Sequence, residues 1–430
     1  MLTTVITNAR CFRGASETQS AGWEDNTYLV FSDGWITDRG TGTPPETIHA
    51  QRHIDAQGAW LLPGLANTHT HSGMTLFRGK AEALPLNRWL TQRIFPWEAQ
   101  LKEDDIYWAS LAAIGEMLRH GVTAFADMYF FEEAVARGVL QSGIRALLSR
   151  GVTNGPEQAR ALGESEALLQ LAQEDQSGHL YAAVGPHAPY TVDDTLMAQL
   201  LDLAERYDVP VHIHLQETYD EVTASLKAFG ERPTERLRRL GMFEHRVLAA
   251  HCVWLDDKDL QTLAHPNVTV AHNPTSNLKL GSGIAPTHAM RSTGVSLSVG
   301  TDGPASNNRL DVWSEIRLAG LLEKGSSGMA EVGEASFWIS AATQTAYHAL
   351  FGMKHRLEVG DPADCFLFDP MCWESLPLPG SLDALLHTFP SEHVSDVFVA
   401  GEQVVQNGVV QSLDMEKIRA EVNQRAKRFG

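Results

Sequence analysis

Histidines recur in this chain directly after runs of apolar residues. The first case is residues 60–71, WLLPGLANTHTH, where one residue separates His69 from His71. Alternate residues of a strand point to the same side, so both imidazoles can reach one metal ion. Imidazole nitrogens are good ligands for Zn²⁺ and Fe²⁺. The spacing therefore predicts a metal site, whereas a His-x-His on its own also fits two solvated histidines in a loop.

Three later segments repeat the pattern of an apolar run followed by a potential metal ligand. They read VPVHIHLQE over residues 209–217, VLAAH over 247–251 and VSLSVGTDG over 295–303. The carboxyl ends of parallel strands lie at one edge of a sheet, so these segments predict a single polar cluster.

The segments that must position this cluster alternate between strand and helix from residue 60 onward. Eight strands alternating with helices predict an α/β fold, a (β/α)₈ barrel of the TIM type, with its active groups at the C-terminal strand ends. A doubly wound open sheet is the alternative, but no glycine-rich phosphate loop follows the first strand. The predicted strands are 60–68, 122–128, 146–152, 180–185, 209–215, 247–251, 268–272 and 295–301, and clear helical stretches are 104–119, 195–207, 233–240 and 257–263.

Short strands separated by turn signals occupy both ends of the chain. Because chain termini often lie close together, we expect residues 1–59 and the segment after residue 360 to form one small β-sandwich. The predicted division is thus 1–59 for the first part of the sandwich, 60–360 for the barrel, and 361–430 for the remaining strands and a terminal helix.

The composition is that of a globular protein with a large core: 430 residues, 43% of them hydrophobic, with a net charge of −19. Such a charge argues against nucleic acid as a partner. Four cysteines without a CxxC pair predict reduced thiols. With no signal peptide and no apolar run of membrane-spanning length, the expected location is the cytoplasm, without membrane contact. Assembly into a homo-oligomer is left open.

Several motifs together resemble the amidohydrolase superfamily. Within it, the chain is similar to the 5′-methylthioadenosine/S-adenosylhomocysteine deaminases, near the chlorohydrolase and guanine-deaminase branches. The segments that carry this resemblance are PGLANTHTHSGMTLFRG, FPWEAQL, FADMYF, VGPHAPYTV, HIHLQET, AAHCVW, HNPTSNLKLGSGIAP and VGTDGPASNN, with DPADCFLFD and VFVAGEQVV near the C-terminus.

The resemblance implies a single divalent metal ion, Zn²⁺ in the first place and Fe²⁺ as the alternative. Its implied ligands are His69, His71, His214 and Asp302. The fourth predicted strand ends in VGPH without the bridging lysine that two-metal relatives use, which favours one metal. A bound metal lowers the pKa of a water molecule from about 15.7 toward about 7.

Two further residues are implied in catalysis. Glu217, three residues after His214, is expected to protonate the ring nitrogen and then the leaving amine, which contributes about 10²–10⁴-fold. His251 is expected near the activated water, where it can stabilise developing charge, and Asp302 can accept a proton from that water. The family gives His212 no role, so we interpret it as a strand histidine or as one that supports the metal ligands from behind.

The resemblance also implies substrate contacts. His187 matches a residue that contacts the purine, Glu98 one that binds the ribose hydroxyls, and Arg150 and Arg160 ones that meet the carboxylate of S-adenosylhomocysteine. A loop arginine is also commonly a solvated charge, and that alternative stays open for Arg160. Ser306 is a candidate for a polar contact near the metal. Three aromatic residues after the first strand suit either a pocket wall or core packing: Trp89, Phe95 and Trp97.

The predicted function is metal-dependent hydrolytic deamination of the adenine ring of 5′-methylthioadenosine, S-adenosylhomocysteine or adenosine, a reaction on a cyclic amidine C–N bond. A deaminase or dechlorinase of guanine, 8-oxoguanine or a triazine is the nearest alternative, and Glu98 discriminates because a free base has no ribose. A non-catalytic metal-binding barrel is the alternative of another class, and it would not need Glu217.

Overall fold

The computed structural model describes residues 3–14, 22–377 and 381–429. Five strands precede the barrel: β1 Thr3–Arg13, β2 Gly22–Ser32, β3 Trp35–Thr41, β4 Arg52–Asp55 and β5 Trp60–Pro63. The barrel strands are β6 Leu65–Thr70, β7 Val122–Tyr129, β8 Arg145–Val152, β9 Leu180–Pro186, β10 Val211–Leu215, β11 Val247–His251, β12 Val268–His272 and β13 Ser296–Val299. The strands after the barrel are β14 Cys365–Phe368, β15 Val394–Val399, β16 Glu402–Gln406 and β17 Val409–Val410.

Helices follow most of the barrel strands and cover the outside of the barrel. Those before residue 240 are α1 Leu86–Trp89, α2 Phe95–Glu98, α3 Glu103–Arg119, α4 Glu132–Ser142, α5 Gln158–Glu174, α6 Asp194–Tyr207, α7 Tyr219–Phe229 and α8 Pro233–Arg239. The later ones are α9 Asp257–Leu263, α10 Pro274–Lys279, α11 Thr287–Thr293, α12 Val312–Ser327, α13 Ala335–Ala342, α14 Gln344–Phe351, α15 Leu382–Thr388 and α16 Met415–Ala426.

Eight of the described strands form the parallel sheet of the barrel, in the order β6 to β13. Its first and last strands meet through specific hydrogen bonds. The backbone N–H of Asp302 donates to the carbonyl of His69 at 2.9 Å, and the hydroxyl of Ser298 donates to that of Thr68 at 2.9 Å. These contacts close the barrel, confirm the predicted fold class, and bring the residues after β6 and β13 side by side.

The terminal segments combine as expected, in a mixed sheet of nine described strands whose path runs from β17 through β14, β5 and β1 to β3, with β4 beside β1. Strands β2 and β15 lie four positions apart in this sheet, which would separate them by about 19 Å if it were flat. Phe31 of β2 and Phe398 of β15 nevertheless have ring centroids 5.7 Å apart. The sheet therefore curls back on itself around a small apolar core of its own.

The predicted strand 60–68 is wrong in one respect: it is two strands in two different sheets. Trp60–Pro63 pairs with β14 and β1, and the first barrel strand begins only at Leu65. Gly64 lies at the change of direction, where a Cβ would stand 2.0 Å from the hydroxyl of Thr123. An apolar run cannot reveal this break, because both halves are buried. The division of the chain into three segments at residues 59 and 360 stays a prediction.

None of the helices in the described ranges has the length and apolar composition needed to cross a bilayer.

Candidate active site

Side chains at or just beyond the last residues of β6, β10, β11 and β13 converge at the C-terminal end of the barrel. The Nε2 atom of His71 lies 3.3 Å from Nε2 of His214 and 3.1 Å from a carboxylate oxygen of Asp302. Potential ligand atoms of His69, His71 and His214 lie within 4.8 Å of one another, as do those of His69, His251 and Asp302. All five residues are buried. The structure thus brings the four implied ligands and His251 together around one point.

The backbone bends sharply where these side chains enter the site. Gln216, His251, Cys252 and Asp302 have positive φ angles of 48°, 74°, 49° and 60°. Residues other than glycine rarely adopt this left-handed region, and each such residue costs on the order of 1–3 kcal/mol. The bends turn the chain away from the barrel and aim His251 and Asp302 at the shared point.

The donor set fits a divalent cation. Burial lowers the pKa of His69 to about 3 and that of His214 well below its ordinary value, so both imidazoles are neutral, which is the form that binds metals. Within the described residues, Nε2 of His69 is buried without a hydrogen-bond partner. Three imidazoles and a carboxylate are ligands that Zn²⁺ prefers, so this donor set fits a divalent metal.

Asp302 is held in its ionised form. Burial alone would raise the pKa of Asp302, but the adjacent imidazoles of His69 and His71 hold that pKa well below its ordinary value. The other carboxylate oxygen accepts hydrogen bonds from the hydroxyls of Ser276 at 2.5 Å and Ser306 at 2.7 Å. Ser306, which the sequence suggested for a polar contact near the metal, thus contacts the implied ligand Asp302 on the oxygen that faces away from the imidazoles.

Glu217 lies beside the histidine cluster at the base of a cavity. One of its oxygens accepts a hydrogen bond from the hydroxyl of Ser282 at 2.8 Å, and the other lies 3.9 Å from Nε2 of His251. Burial raises the pKa of this carboxyl and nearby His251 partly opposes the rise. A carboxyl with a raised pKa holds a proton more readily than an exposed carboxyl does, which suits an acid–base role.

His251 and Glu217 are each held from behind. Nδ1 of His251 lies 2.8 Å from the side-chain oxygen of Asn277, which directs Nε2 toward the shared point. The carboxylate of Glu221 accepts hydrogen bonds from the backbone N–H groups of Gln216 and Glu217 at 2.9 and 3.0 Å. These contacts fix the orientation of both groups.

A cavity of about 570 Å³ opens above the cluster, within the usual range for a small-molecule site. His71, His214, Glu217, His251 and Asp302 form its floor, and much of the wall is apolar or aromatic: Met74, Leu86, Trp89, Leu90, Phe95, Met128, Tyr129, Phe130, Tyr190 and Leu280. Trp89 and Phe95 thus line the cavity. Trp97 is not part of this lining and packs on Phe77, with ring centroids 5.4 Å apart.

Two of the predicted substrate contacts, His187 and Glu98, lie on the walls of this cavity. Nδ1 of His187 lies 2.9 Å from the hydroxyl of Thr191, and burial lowers the pKa of His187 to about 4, so the ring is neutral. Burial raises the pKa of Glu98 to about 7, although the nearby Tyr129 hydroxyl opposes the rise.

The two predicted arginines lie in a neighbouring cavity of about 390 Å³, which shares Phe95, Glu98 and Phe130 with the first. Nε of Arg150 donates to Glu164 at 2.6 Å, and Nε of Arg160 lies 3.4 Å from the same carboxylate. Arg150 is buried, whereas the side chain of Arg160 is 58% exposed. Glu164 already pairs with both arginines.

Several residues that hold the site have no role in the sequence-based prediction. Ser276, Asn277 and Ser282 all lie in HNPTSNLKLGS after β12, a segment that contributed to the resemblance without an assigned function. The clustering of hydroxyl and amide side chains after a barrel strand is the sequence feature that could have identified them as residues of the site. Glu164 lies within helix α5, and its spacing carries no signal of this kind.

Comparison with known proteins gives a consistent result. Residues 60–404 match the amidohydrolase family. The chain is 40% identical to a 5-methylthioadenosine/S-adenosylhomocysteine deaminase of Dictyoglomus thermophilum over 87% of this chain and 88% of the relative. It is 39% identical to a 5′-deoxyadenosine deaminase of Methanosarcina acetivorans, over 95% and 94% of the two chains.

A solved structure agrees over the full length. An adenosine deaminase from Xanthomonas campestris, crystallised with bound zinc, superposes with a TM-score of 0.92 at 33% identity. The alignment covers 100% of this chain and 98% of the other, so the barrel and the terminal sheet are both shared.

Proposed function

Because the chain belongs to the amidohydrolase family, we propose that it catalyses the hydrolytic deamination of an adenine nucleoside, releasing ammonia and the inosine-type product. The proposed substrates are 5′-methylthioadenosine, S-adenosylhomocysteine and adenosine, in keeping with the names of its relatives. The observation that carries the proposal is the position of Glu217, a buried acid beside the histidine cluster at the floor of the cavity.

His69, His71, His214 and Asp302 are the proposed metal ligands, with zinc preferred over iron because three imidazoles and one carboxylate suit it. When bound, the metal would supply hydroxide at neutral pH by lowering the pKa of a water molecule. One carboxylate oxygen of Asp302 accepts hydrogen bonds from the hydroxyls of Ser276 and Ser306, so this oxygen is not available to take a proton from water. Its other oxygen, which faces the imidazoles, is the one available to accept a proton from water.

Glu217 moves the remaining protons. With the adenine ring against the floor of the cavity, its carboxyl protonates the ring nitrogen next to the carbon under attack. The resulting carboxylate then takes the proton of the hydroxyl group that has been added to the ring carbon and passes it to the amino group. The C–N bond breaks, ammonia leaves, and the added oxygen becomes the carbonyl of the inosine-type product. The proton released when the next water molecule ionises restores the acid form of Glu217. His251, directed by Asn277, stabilises negative charge that develops on the attacking oxygen.

The substrate is held along the cavity walls. His187 contacts the purine, and Glu98 accepts hydrogen bonds from the ribose hydroxyls, which a carboxylate does well. The apolar wall suits a 5′-thioether. Arg150 and Arg160 would meet the carboxylate of S-adenosylhomocysteine, in competition with Glu164.

The test is ammonia release by the zinc-loaded protein from a panel containing the three nucleosides, adenine, guanine and a chlorinated triazine. We expect activity on the nucleosides that greatly exceeds activity on the free bases. Activity confined to guanine or the triazine would replace this proposal with the corresponding alternative. A protein that binds zinc but transforms no member of the panel would contradict the proposed activity.

A further inference from the structure

An imidazole that binds a metal through Nε2 must keep its proton on Nδ1. For two of the proposed ligands the protein enforces this directly. Nδ1 of His71 lies 2.5 Å from the carbonyl oxygen of Met128, and Nδ1 of His214 lies 2.7 Å from that of His187. A carbonyl oxygen only accepts hydrogen bonds, so in each case the proton lies on Nδ1 and Nε2 is free to bind metal.

His69 is anchored differently. Its Nδ1 lies 2.8 Å from Nε2 of a second histidine, His212, which can accept or donate. Nδ1 of His212 lies 3.0 Å from the hydroxyl oxygen of Ser149. That hydroxyl is in turn 2.7 Å from the carbonyl oxygen of Asp127. The anchor of His69 is thus a chain of three contacts that ends on a carbonyl.

The carbonyl decides the direction of the whole chain. Ser149 must donate its one proton to Asp127, since a carbonyl cannot donate. Ser149 then accepts from Nδ1 of His212, and Nε2 of His212 accepts from Nδ1 of His69. In the opposite order, two oxygen acceptors would face each other at 2.7 Å, and His69 would carry its proton on Nε2, directed into the site.

Burial makes this order rigid. His69, His212 and Ser149 are each 0% exposed, so solvent cannot take the place of a missing partner. In such surroundings an unpaired polar group costs about 1–3 kcal/mol. His212 therefore provides the hydrogen-bond acceptor for Nδ1 of His69, as a backbone carbonyl does for Nδ1 of His71 and of His214.

We propose that His212 is a positioning residue for the metal, which holds His69 with its proton on Nδ1 through the chain His69–His212–Ser149–Asp127. The inference rests on the metal site of the proposed function, but it does not depend on which nucleoside is the substrate. It also gives a role to the first histidine of HIHLQE, which the resemblance leaves without one.

The experiment measures zinc affinity by competition with a chromogenic chelator, without substrate, together with the thermal stability of the metal-free protein. His212→Phe keeps a ring of similar size and removes both nitrogens. We expect its zinc affinity to fall about 10–100-fold, the usual effect of losing a partner behind a metal ligand. His212→Gln, whose amide oxygen can accept from Nδ1 of His69, should recover most of the loss.

Two more variants sharpen the result. Ser149→Ala removes the link that orients His212 and should weaken zinc binding by less than His212→Phe. His272→Phe is the matched control, because His272 is a buried histidine at the end of barrel strand β12 and is not part of this chain of contacts. Its zinc affinity should equal that of the wild type.

Wild-type zinc affinity in His212→Phe would overturn the proposal, as would equal losses in His212→Gln and His212→Phe. If His212→Phe does not fold, wild-type zinc affinity in Ser149→Ala has the same consequence. Deamination assays on the zinc-saturated proteins separate the two proposals: a wild type that deaminates no nucleoside contradicts the proposed function, while the zinc affinities still decide the role of His212.

Discussion

The barrel contains two buried polar clusters, one at each end, and they differ in how completely their groups are paired. At the N-terminal ends of the strands, the carboxylate of Asp364 accepts hydrogen bonds from Arg145 at 2.6 Å, from the hydroxyl of Tyr347 at 2.8 Å and from the backbone N–H of Ala400 at 2.6 Å. Tyr347 also bonds to the hydroxyl of Thr123 at 2.6 Å. This cluster joins the barrel to the terminal sheet.

At the C-terminal ends, the groups point at a shared position instead of at one another. Nε2 of His69 lacks a hydrogen-bond partner among the described residues, and Glu217 has a raised pKa because of burial. Burial likewise acts on Asp364, but Arg145 overcomes it and holds the pKa of that carboxyl below its ordinary value. A fully paired buried cluster stabilises the fold, whereas one with groups left free can bind a cation and transfer protons.

The comparison predicts that Glu217→Gln greatly lowers catalytic activity and leaves the stability of the fold unchanged. The amide can still accept the hydrogen bond from Ser282 but cannot carry a proton. We expect kcat to fall by about 10²–10⁴-fold or more, with metal content and melting temperature near those of the wild type. Both are measured on one preparation. An unchanged kcat would remove Glu217 from the mechanism, and loss of metal would make it a ligand.

Arg145→Met should have the opposite effect, a loss of stability without a specific loss of function. It leaves Asp364 charged and buried without its partner, which costs about 3–5 kcal/mol. Urea denaturation of the metal-loaded protein measures the free energy of unfolding. Arg160→Met, at an exposed ion pair, is the control and should change it by less than about 1 kcal/mol. A fall in kcat for the folded fraction of Arg145→Met would mean that the two clusters are coupled.

Metal removal should act on the C-terminal cluster alone. We expect one divalent metal per chain by elemental analysis, and chelation should abolish activity and lower the melting temperature. At a metal concentration one hundred times the dissociation constant, binding contributes about 2.7 kcal/mol to folding. Glu217→Gln should show the same shift on chelation, and His69→Ala almost none. Two metals per chain, or activity that survives complete chelation, would contradict a single-metal catalytic site.

Glu98 tests the substrate within the site. Glu98→Ala should lower kcat/KM on 5′-methylthioadenosine. The expected loss of transition-state stabilisation is about 1.5–3 kcal/mol, the value of a hydrogen bond to a charged group. Any weak activity on free adenine should remain nearly the same. Equal losses on both substrates would show that Glu98 supports the site in general and does not bind ribose.

The pKa of Glu98 adds a second readout. Since burial raises that pKa to about 7, the ionised acceptor prevails only above that pH. In the wild type, KM for the nucleoside should therefore fall as the pH rises through about 7, and Glu98→Ala should lack this change.

Arg160→Ala should have the smallest effect. The side chain is largely exposed and already pairs with Glu157 at 3.0 Å and Glu164 at 3.4 Å. We expect kcat/KM on S-adenosylhomocysteine to fall by about 0.2–1 kcal/mol, the range for exposed ion pairs, and no change on 5′-methylthioadenosine. A large loss on S-adenosylhomocysteine would show that the carboxylate displaces Glu164, and a loss on both nucleosides would assign Arg160 to the fold.

The strand and helix pattern was readable from the sequence because it is local. Strands β11 and β12 and helix α9 begin and end where the periodicity predicts, and each metal-binding residue type follows its apolar run. The split at Gly64 was not readable, since it depends on Thr123 in a neighbouring strand. Pairing of the two chain ends was expected, but the curling of their sheet follows from contacts between distant strands such as Phe31 with Phe398.

The sequence by itself determined which residue types stand at the strand ends, and hence that a metal and an acid could act together. Only the tertiary structure decided how these groups are used. Closure of the barrel brings His69 beside Asp302, and helix α5 sets Glu164 between two arginines. Strands β6, β8 and β10 are not adjacent in the sheet, yet the closed barrel places His212 between His69 and Ser149. These contacts join residues that are far apart in the chain, and side-chain periodicity carries no information about them. They depend on strand order and register, which packing of the whole barrel establishes.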